Sequence, residues 1–311
     1  MPSLADLYRP SLALVSDLYQ LTMAYGYWRQ GLRDAEGVFH LSFRANPCDG
    51  GFTVALGQSA VESYVSDFRF SGDDLDYLAD LRRGDGEALF GADFLGFLGD
   101  LVLDCDVDAV VEGTVVFPGE PVLRVRGSLI QGQMLETALL NLMNFQSLIA
   151  TKAARVCLAA DGDDVVEFGL RRAQGFDGGV SASRAAFIGG CAATSNLLAG
   201  RLHGIPVRGT HAHSWVLAFD DELSAFRAYA EVQPADTVLL LDTFDTRGGV
   251  ELAIEVGHWL RGIGYDLVGV RLDSGDLIGL SRHVRKRLDE AGLERVGIVA
   301  SGDLDETEIL K

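Results

Sequence analysis

The sequence predicts an α/β fold whose second half is built from parallel strands and crossover helices, preceded by an N-terminal α+β region. Three observations carry this. After residue 160, apolar strand-like runs alternate with amphipathic helical segments in five β-then-α units, spaced by roughly 30 residues. Before residue 155, helical and strand-like patterns are mixed without that order. The composition, 48% hydrophobic and 23% charged over 311 residues, is that of a globular chain. Its length suits about two domains.

In order, Leu14 to Trp28 reads as a helix, with Leu14, Leu18, Leu21, Tyr25 and Trp28 on one face. Residues 85–101 read as another. Val107 to Leu129 is β-rich and broken by Pro118-Gly119 and Gly127. Met134 to Ala154 is a helix of low polarity, expected to be buried on most sides and to bridge the two regions. The expected domains are therefore 1–155 and 156–311. In the second, the strands are Val165–Leu170, Ile205–Gly209, Thr237–Leu241, Leu267–Leu272 and Arg295–Ala300. The helices are Ser181–Gly200, Glu222–Glu231, Gly249–Ile263, Leu277–Leu288 and one starting at Asp303. A doubly wound sheet or a barrel both satisfy this pattern. An eight-unit barrel needs roughly 250 residues. The chain ends at Leu310-Lys311, in the first turns of a helix, so any barrel is expected to be incomplete and the natural protein longer. This stretch alone is expected to turn nothing over.

The formal net charge of −19 excludes a general nucleic-acid or anionic-membrane binder, which needs a basic face. No apolar run approaches the roughly 18 residues of a spanning helix. Asp6, Arg9 and Asp17 interrupt any leader-like stretch. Cys48, Cys105, Cys157 and Cys191 have no paired metal spacing and read as free thiols in the cytoplasm.

Ligands of parallel α/β folds bind at the carboxyl ends of the strands. Here those ends read Phe168-Gly-Leu-Arg-Arg-Ala-Gln-Gly175, Gly209-Thr-His-Ala-His-Ser-Trp215, Leu241-Asp-Thr-Phe-Asp245, Arg271-Leu-Asp-Ser-Gly-Asp276 and Ala300-Ser-Gly-Asp303. Turn chemistry alone does not call for Arg, His and Asp on one rim. An alternative for His211 and His213 is a His-x-His zinc site of a metal-dependent barrel hydrolase. The remaining histidines are His40, His203, His258 and His283, and the last two fall in helices, so that ligand set is incomplete.

Asp17-Leu-Tyr-Gln-Leu-Thr-Met23, Glu167-Phe-Gly-Leu-Arg-Arg-Ala-Gln-Gly175, Gly209-Thr-His-Ala-His-Ser-Trp215 and Val270-Arg-Leu-Asp-Ser-Gly-Asp276, in this order, resemble the nicotinate phosphoribosyltransferase family, and the resemblance runs through nearly the whole chain. It implies an irregular or incomplete α/β barrel of the type II phosphoribosyltransferase kind, and a homodimer with a shared active site. It also implies a reaction that joins nicotinate to phosphoribosyl pyrophosphate, with ATP as co-substrate and Mg²⁺ carried on the substrate phosphates. His213 is implied to be the histidine that ATP phosphorylates. Tyr19 is implied to stack on the pyridine ring, with Phe168 on its other face, and Arg271 and Thr210 to hold the nicotinate carboxylate. Arg271 suits that role by its guanidinium fork, and a structural pair with Asp273 or Asp242 is the alternative. Arg171 and Arg172 point to phosphate; on a strand only one of the two would face the site. Asp242, Asp273, Ser274 and Asp276 are expected at ribose or phosphate, with Asp273 a possible Mg²⁺ contact. Helix capping is the other reading of Ser274 and Asp276. His211 either orients its neighbour or points away. A nicotinamide-specific enzyme should lack a carboxylate-binding arginine, and a quinolinate-specific one needs more cations and no phosphohistidine.

Overall fold

The computed structural model describes residues 11–311; Asp6, Arg9 and the rest of the first ten residues of the expected N-terminal domain lie outside them. The chain divides into two compact units. One holds the residues up to Cys157 together with Glu167–Ala192 and Asn196–Ile205. The other holds Leu158–Val166, Ala193–Ser195 and Pro206–Lys311.

The first unit opens with helix α1 (Leu18–Arg29) and strands β1 (Glu36–Ser42) and β2 (Thr53–Ala55). Helices α2 (Gln58–Asp67), α3 (Gly72–Asp80) and α4 (Ala92–Gly99) follow. Then come β3 (Asp106–Ala109), β4 (Thr114–Val116), β5 (Pro121–Ser128) and the 31-residue helix α5 (Leu129–Ala159). The antiparallel sheet runs β1-β5-β3, and β2 pairs with β4. Leu21, Val61, Leu78, Phe94, Val125, Met134 and Leu139 meet in one core. The sequence reading missed α2 and α3. Ser71 closes a capping box with Asp74 at the start of α3, but the acidic segment Gly72–Asp80 has too few apolar residues to show its face. It also overextended 85–101. Arg82 and Ala88 form a β-bridge, and the helix begins only at Ala92.

Next come β6 (Val166–Glu167), a 3₁₀ turn at Leu170–Arg172, α6 (Gly175–Ile188), β7 (Ala193–Thr194) and α7 (Leu197–His203). The helix expected over Ser181–Gly200 is thus two helices separated by a strand. Gly190 sits at φ +117°, a left-handed conformation that ends the first helix. The strand expected over Ile205–Gly209 is reduced to a bridge between Thr194 and Val207.

In the second unit, a one-turn helix α8 (His213–Val216) leads to α9 (Glu222–Val232), β8 (Val238–Leu240), α10 (Thr246–Gly262) and β9 (Gly269–Leu272). Helix α11 (Leu277–Glu290), strand β10 (Gly297–Ala300) and helix α12 (Glu306–Ile309) complete it. Strands β10-β9-β8 form a parallel sheet, so the alternating pattern was read correctly there. Among the described residues the five expected strands form no single sheet; β6 and β7 pair separately, and no closed barrel is present. Leu239, Leu240, Val270 and Leu272 are wholly buried, as expected of strands covered on both faces. Val256, Leu260, Val284 and Leu288 seal the helices onto them. Among the described residues no helix is long and apolar enough to cross a membrane.

Candidate active site

The carboxyl ends of β8, β9 and β10 gather a single hydrogen-bonded group in the second unit. Arg271, on β9, is its centre. Its Nη2 donates to Asp273 Oδ1 at 2.6 Å, its Nε to Ser301 Oγ at 2.8 Å and its Nη1 to Thr210 Oγ1 at 2.9 Å. The Ser301 hydroxyl also lies 2.5 Å from Asp273 Oδ1. Ser301 can come this close because residue 302 is glycine. Gly302 has φ +111°, and a Cβ there would stand 2.3 Å from the Asp273 carbonyl oxygen. Thr210 donates its own hydroxyl proton to the His211 carbonyl at 3.3 Å.

His213 begins α8. Its Nδ1 lies 3.2 Å from Thr243 Oγ1, and its Nε2 faces Asp273 Oδ2 at 3.7 Å. His213 and Arg271 therefore reach the two oxygens of one carboxylate. Burial, the largest influence on Asp273, pushes its pKa up, but the Ser301 hydroxyl and the Arg271 guanidinium outweigh it and hold the carboxyl below its ordinary range. The His213 ring is 42% exposed, whereas the Arg271 side chain is only 13% exposed. The imidazole is open to a ligand, and the guanidinium is held.

Asp242 follows β8. Its Oδ2 accepts from the Asp273 backbone N–H at 3.3 Å and from the Ser274 hydroxyl. Among the described residues, its Oδ1 is buried without a hydrogen-bond partner. A buried orphan oxygen of this kind marks a place for a donor. Asp276 caps α11, accepting from Gly279 N–H at 3.1 Å, so the capping reading is realised for this residue. Ser274 turns to Asp242 and does not cap.

His211, two residues from His213, has a different environment. It packs edge-on against Tyr229, with ring centroids 4.8 Å apart, and its Nε2 accepts the Leu240 backbone N–H at 3.1 Å. Burial first, and then the positive Arg271 nearby, push its pKa down to about 4. It is a neutral structural imidazole. The zinc-hydrolase alternative falls with it, because the Nε2 a metal would need is already bonded inward. Among the described residues, no three His, Cys, Asp or Glu side chains converge as a metal shell.

Ser301 and Thr243 lie within the strand-end segments, yet nothing in their spacing singled them out. Glu222 was also missed. It starts α9, is 8% exposed, and among the described residues its Oε1 is buried without a partner. Burial first, then the charges of Asp245 and Asp242, push its carboxyl up to about 7.

The other expected residues belong to the first unit. Tyr19 is half exposed on α1. Phe168 is half-buried between Glu167 and Gly169. Glu167 shapes that segment, accepting from the Gly169 N–H and from Ser183 Oγ at 2.9 Å. Arg171 and Arg172 are exposed on the 3₁₀ turn. The expectation that strand alternation would turn one of them away does not apply, because they are not in a strand.

Comparison with known proteins gives a consistent result. Residues 14–144 match the family described as nicotinate phosphoribosyltransferase (NAPRTase) N-terminal domain. A nicotinate phosphoribosyltransferase of Mycobacterium tuberculosis is 46% identical over 297 residues, covering 96% of this chain and 62% of its own length. That of Bacillus subtilis is 45% identical over 302 residues, covering 96% and 60%. The crystal structure of human nicotinic acid phosphoribosyltransferase superposes with a TM-score of 0.86 at 36% identity, covering 95% of this chain and 70% of that one. The chain thus spans about three fifths of the curated relatives it matches.

Proposed function

Because the chain belongs to the nicotinate phosphoribosyltransferase family, we propose that it joins nicotinate to phosphoribosyl pyrophosphate in an ATP-coupled step of NAD salvage. The observation that carries this reading is the convergence of His213 and Arg271 on the carboxylate of Asp273.

The pyridine nitrogen forms a bond to ribose C1 as the C1–O bond to pyrophosphate breaks. Positive charge builds on the ribose and negative charge leaves, so positioning and electrostatics matter more than a strong base. Arg271 is the carboxylate clamp. Asp273 and Ser301 hold its fork, and the Thr210 contact is the one a substrate carboxylate would share. An uncharged amide gains less from this guanidinium, which disfavours nicotinamide. Quinolinate would ask for a second cation.

With its Nδ1 on Thr243, His213 presents Nε2 as the nucleophile for the terminal phosphoryl group of ATP. That bond forms as the bond to ADP breaks, and water later removes the phosphoryl group. The new negative charge would stand beside Asp273. Two anionic groups at this distance fit a site that works with Mg²⁺, which supplies charge neutralisation when it arrives on the substrate phosphates. Asp273 and the orphan Oδ1 of Asp242 are the residues to hold it or a ribose hydroxyl. Ser274 and Asp276 belong to the same rim.

The family likeness alone assigns Tyr19 and Phe168 to the pyridine ring, and Arg171 and Arg172 to phosphate. Exposed Leu12, Val15, Leu18 and Met23 around Tyr19 support a homodimer that brings Tyr19 to the partner's site. Domains 1–155 and 156–311, the latter an irregular α/β barrel, and a cytoplasmic setting for the four free thiols belong to the same reading.

Steady-state assays of the intact enzyme with nicotinate, nicotinamide and quinolinate, each with and without ATP, test this. Nicotinate should be preferred and ATP should stimulate it. A preference for nicotinamide would overturn the assignment.

A further inference from the structure

Gln20 is adjacent to Tyr19 on α1 but faces inward, and it is wholly buried. Its amide is fully engaged. Nε2 donates to Tyr19 Oη at 3.2 Å and to Glu136 Oε2 at 3.1 Å, and Oε1 accepts from Ser16 Oγ at 3.0 Å. Glu136 Oε2 also accepts from Gln133 Nε2 at 3.0 Å. Thr137 Oγ1 donates to Asp17 Oδ2 at 2.7 Å. Gln133, Glu136 and Thr137 share one face of α5 at i, i+3 and i+4. The start of α1 is fastened to that face.

Burying an amide costs free energy unless its polar atoms are bonded, and leucine would fill similar space without that demand. What the amide supplies beyond packing is a donor to the Tyr19 hydroxyl, strengthened by the carboxylate behind it. A half-exposed tyrosine otherwise samples several staggered rotamers; this bond selects one. We infer that Gln20, backed by Glu136, is a positioning residue that fixes the Tyr19 ring for stacking on the pyridine substrate. This rests on the role given to Tyr19 above.

The test is steady-state kinetics on the intact enzyme with Tyr19→Phe, Gln20→Leu, their double variant, Glu136→Ala and Tyr19→Ala. Tyr19→Phe and Gln20→Leu should each raise KM for nicotinate about three- to tenfold, the worth of one hydrogen bond. The kcat and the KM for phosphoribosyl pyrophosphate should stay unchanged. The double variant should be no worse than Tyr19→Phe alone, because both remove the same bond. Glu136 is exposed, so Glu136→Ala should fold and raise the nicotinate KM in the same direction; it decides the matter if Gln20→Leu does not fold. Additive effects in the double variant, or an unchanged nicotinate KM in Gln20→Leu or Glu136→Ala, would overturn the inference. If Tyr19→Ala leaves that KM unchanged, the stacking role itself is wrong and the inference falls with it. If Tyr19→Ala raises it while the Gln20 and Glu136 variants do not, only the inference falls.

Discussion

The same short Arg–Asp contact has different consequences in two regions of the molecule. On the outer face of the antiparallel sheet, Arg124 meets Asp108 at 2.7 Å and Arg126 meets Asp106 at 2.5 Å, directly across the β3–β5 register. All four side chains are more than half exposed. At the end of β9, Arg271 meets Asp273 at 2.6 Å, but these side chains are only 13% and 26% exposed. Distance does not distinguish the pairs. Solvent and connectivity do. An exposed pair is screened by water and contributes little. The β9 pair is held by Ser301, Thr210 and the backbone turn at Gly302, and it faces an open imidazole. A short Arg–Asp distance is thus not a sign of function until its surroundings are known.

The largest expected effect sharpens this contrast. Arg271→Ala should lower kcat/KM for nicotinate by at least about a hundredfold, since it removes a partly buried charge and leaves Asp273 uncompensated. Arg124→Ala, read in the same assay, should be indistinguishable from the parent. Equal effects would dissolve the comparison.

Next in size is His213→Asn, which should abolish ATP stimulation while thermal stability is retained. The partner histidine should behave in the opposite way. His211 is held neutral, at about 4 against an ordinary 6.5. A depressed histidine binds fewer protons folded than unfolded, so stability is full above about pH 6.5 and is lost as pH falls towards 4. The loss is at most about 3 kcal/mol. Thermal melts across that range should show this acid limb in the parent and a flatter one in His211→Gln. An unchanged limb would mean that His211 is not the group responsible. Smallest of all, Arg126→Ala should leave the unfolding midpoint in denaturant titrations almost unmoved, because the pair is screened by water. A marked fall would show that exposed cross-strand pairs count here.

The alternation of β8, α10, β9, α11 and β10 was legible because each strand is a mainly apolar run, broken in β9 by Arg271 alone, and each helix has one apolar face. The first expected unit was not, because small residues from Ser181 to Gly200 suit helix, turn and short strand alike; of the second, the helix from Glu222 was legible and its strand was not. Arg271, His213 and Asp273 could be picked out because a strand end is where such groups act. Ser301 could not, since its position depends on the close passage of Gly302 over the Asp273 carbonyl. Strand-end position alone did not tell His211 from His213; only the family resemblance singled out His213. Packing of His211 against Tyr229 and the Leu240 N–H separates them, and those contacts come from distant parts of the sequence. Glu222 had no signal at all, because its burial, which raises its pKa most, and the acids Asp245 and Asp242, which add to it, are set by packing between distant segments.

The most direct measurement is intact mass of the protein before and after incubation with Mg²⁺ and ATP, followed by peptide mapping. The account predicts one added phosphoryl group, labile to acid and stable to base, located on His213 and lost in His213→Asn. A phosphoryl group on any other residue, or none while ATP still stimulates turnover, would contradict it.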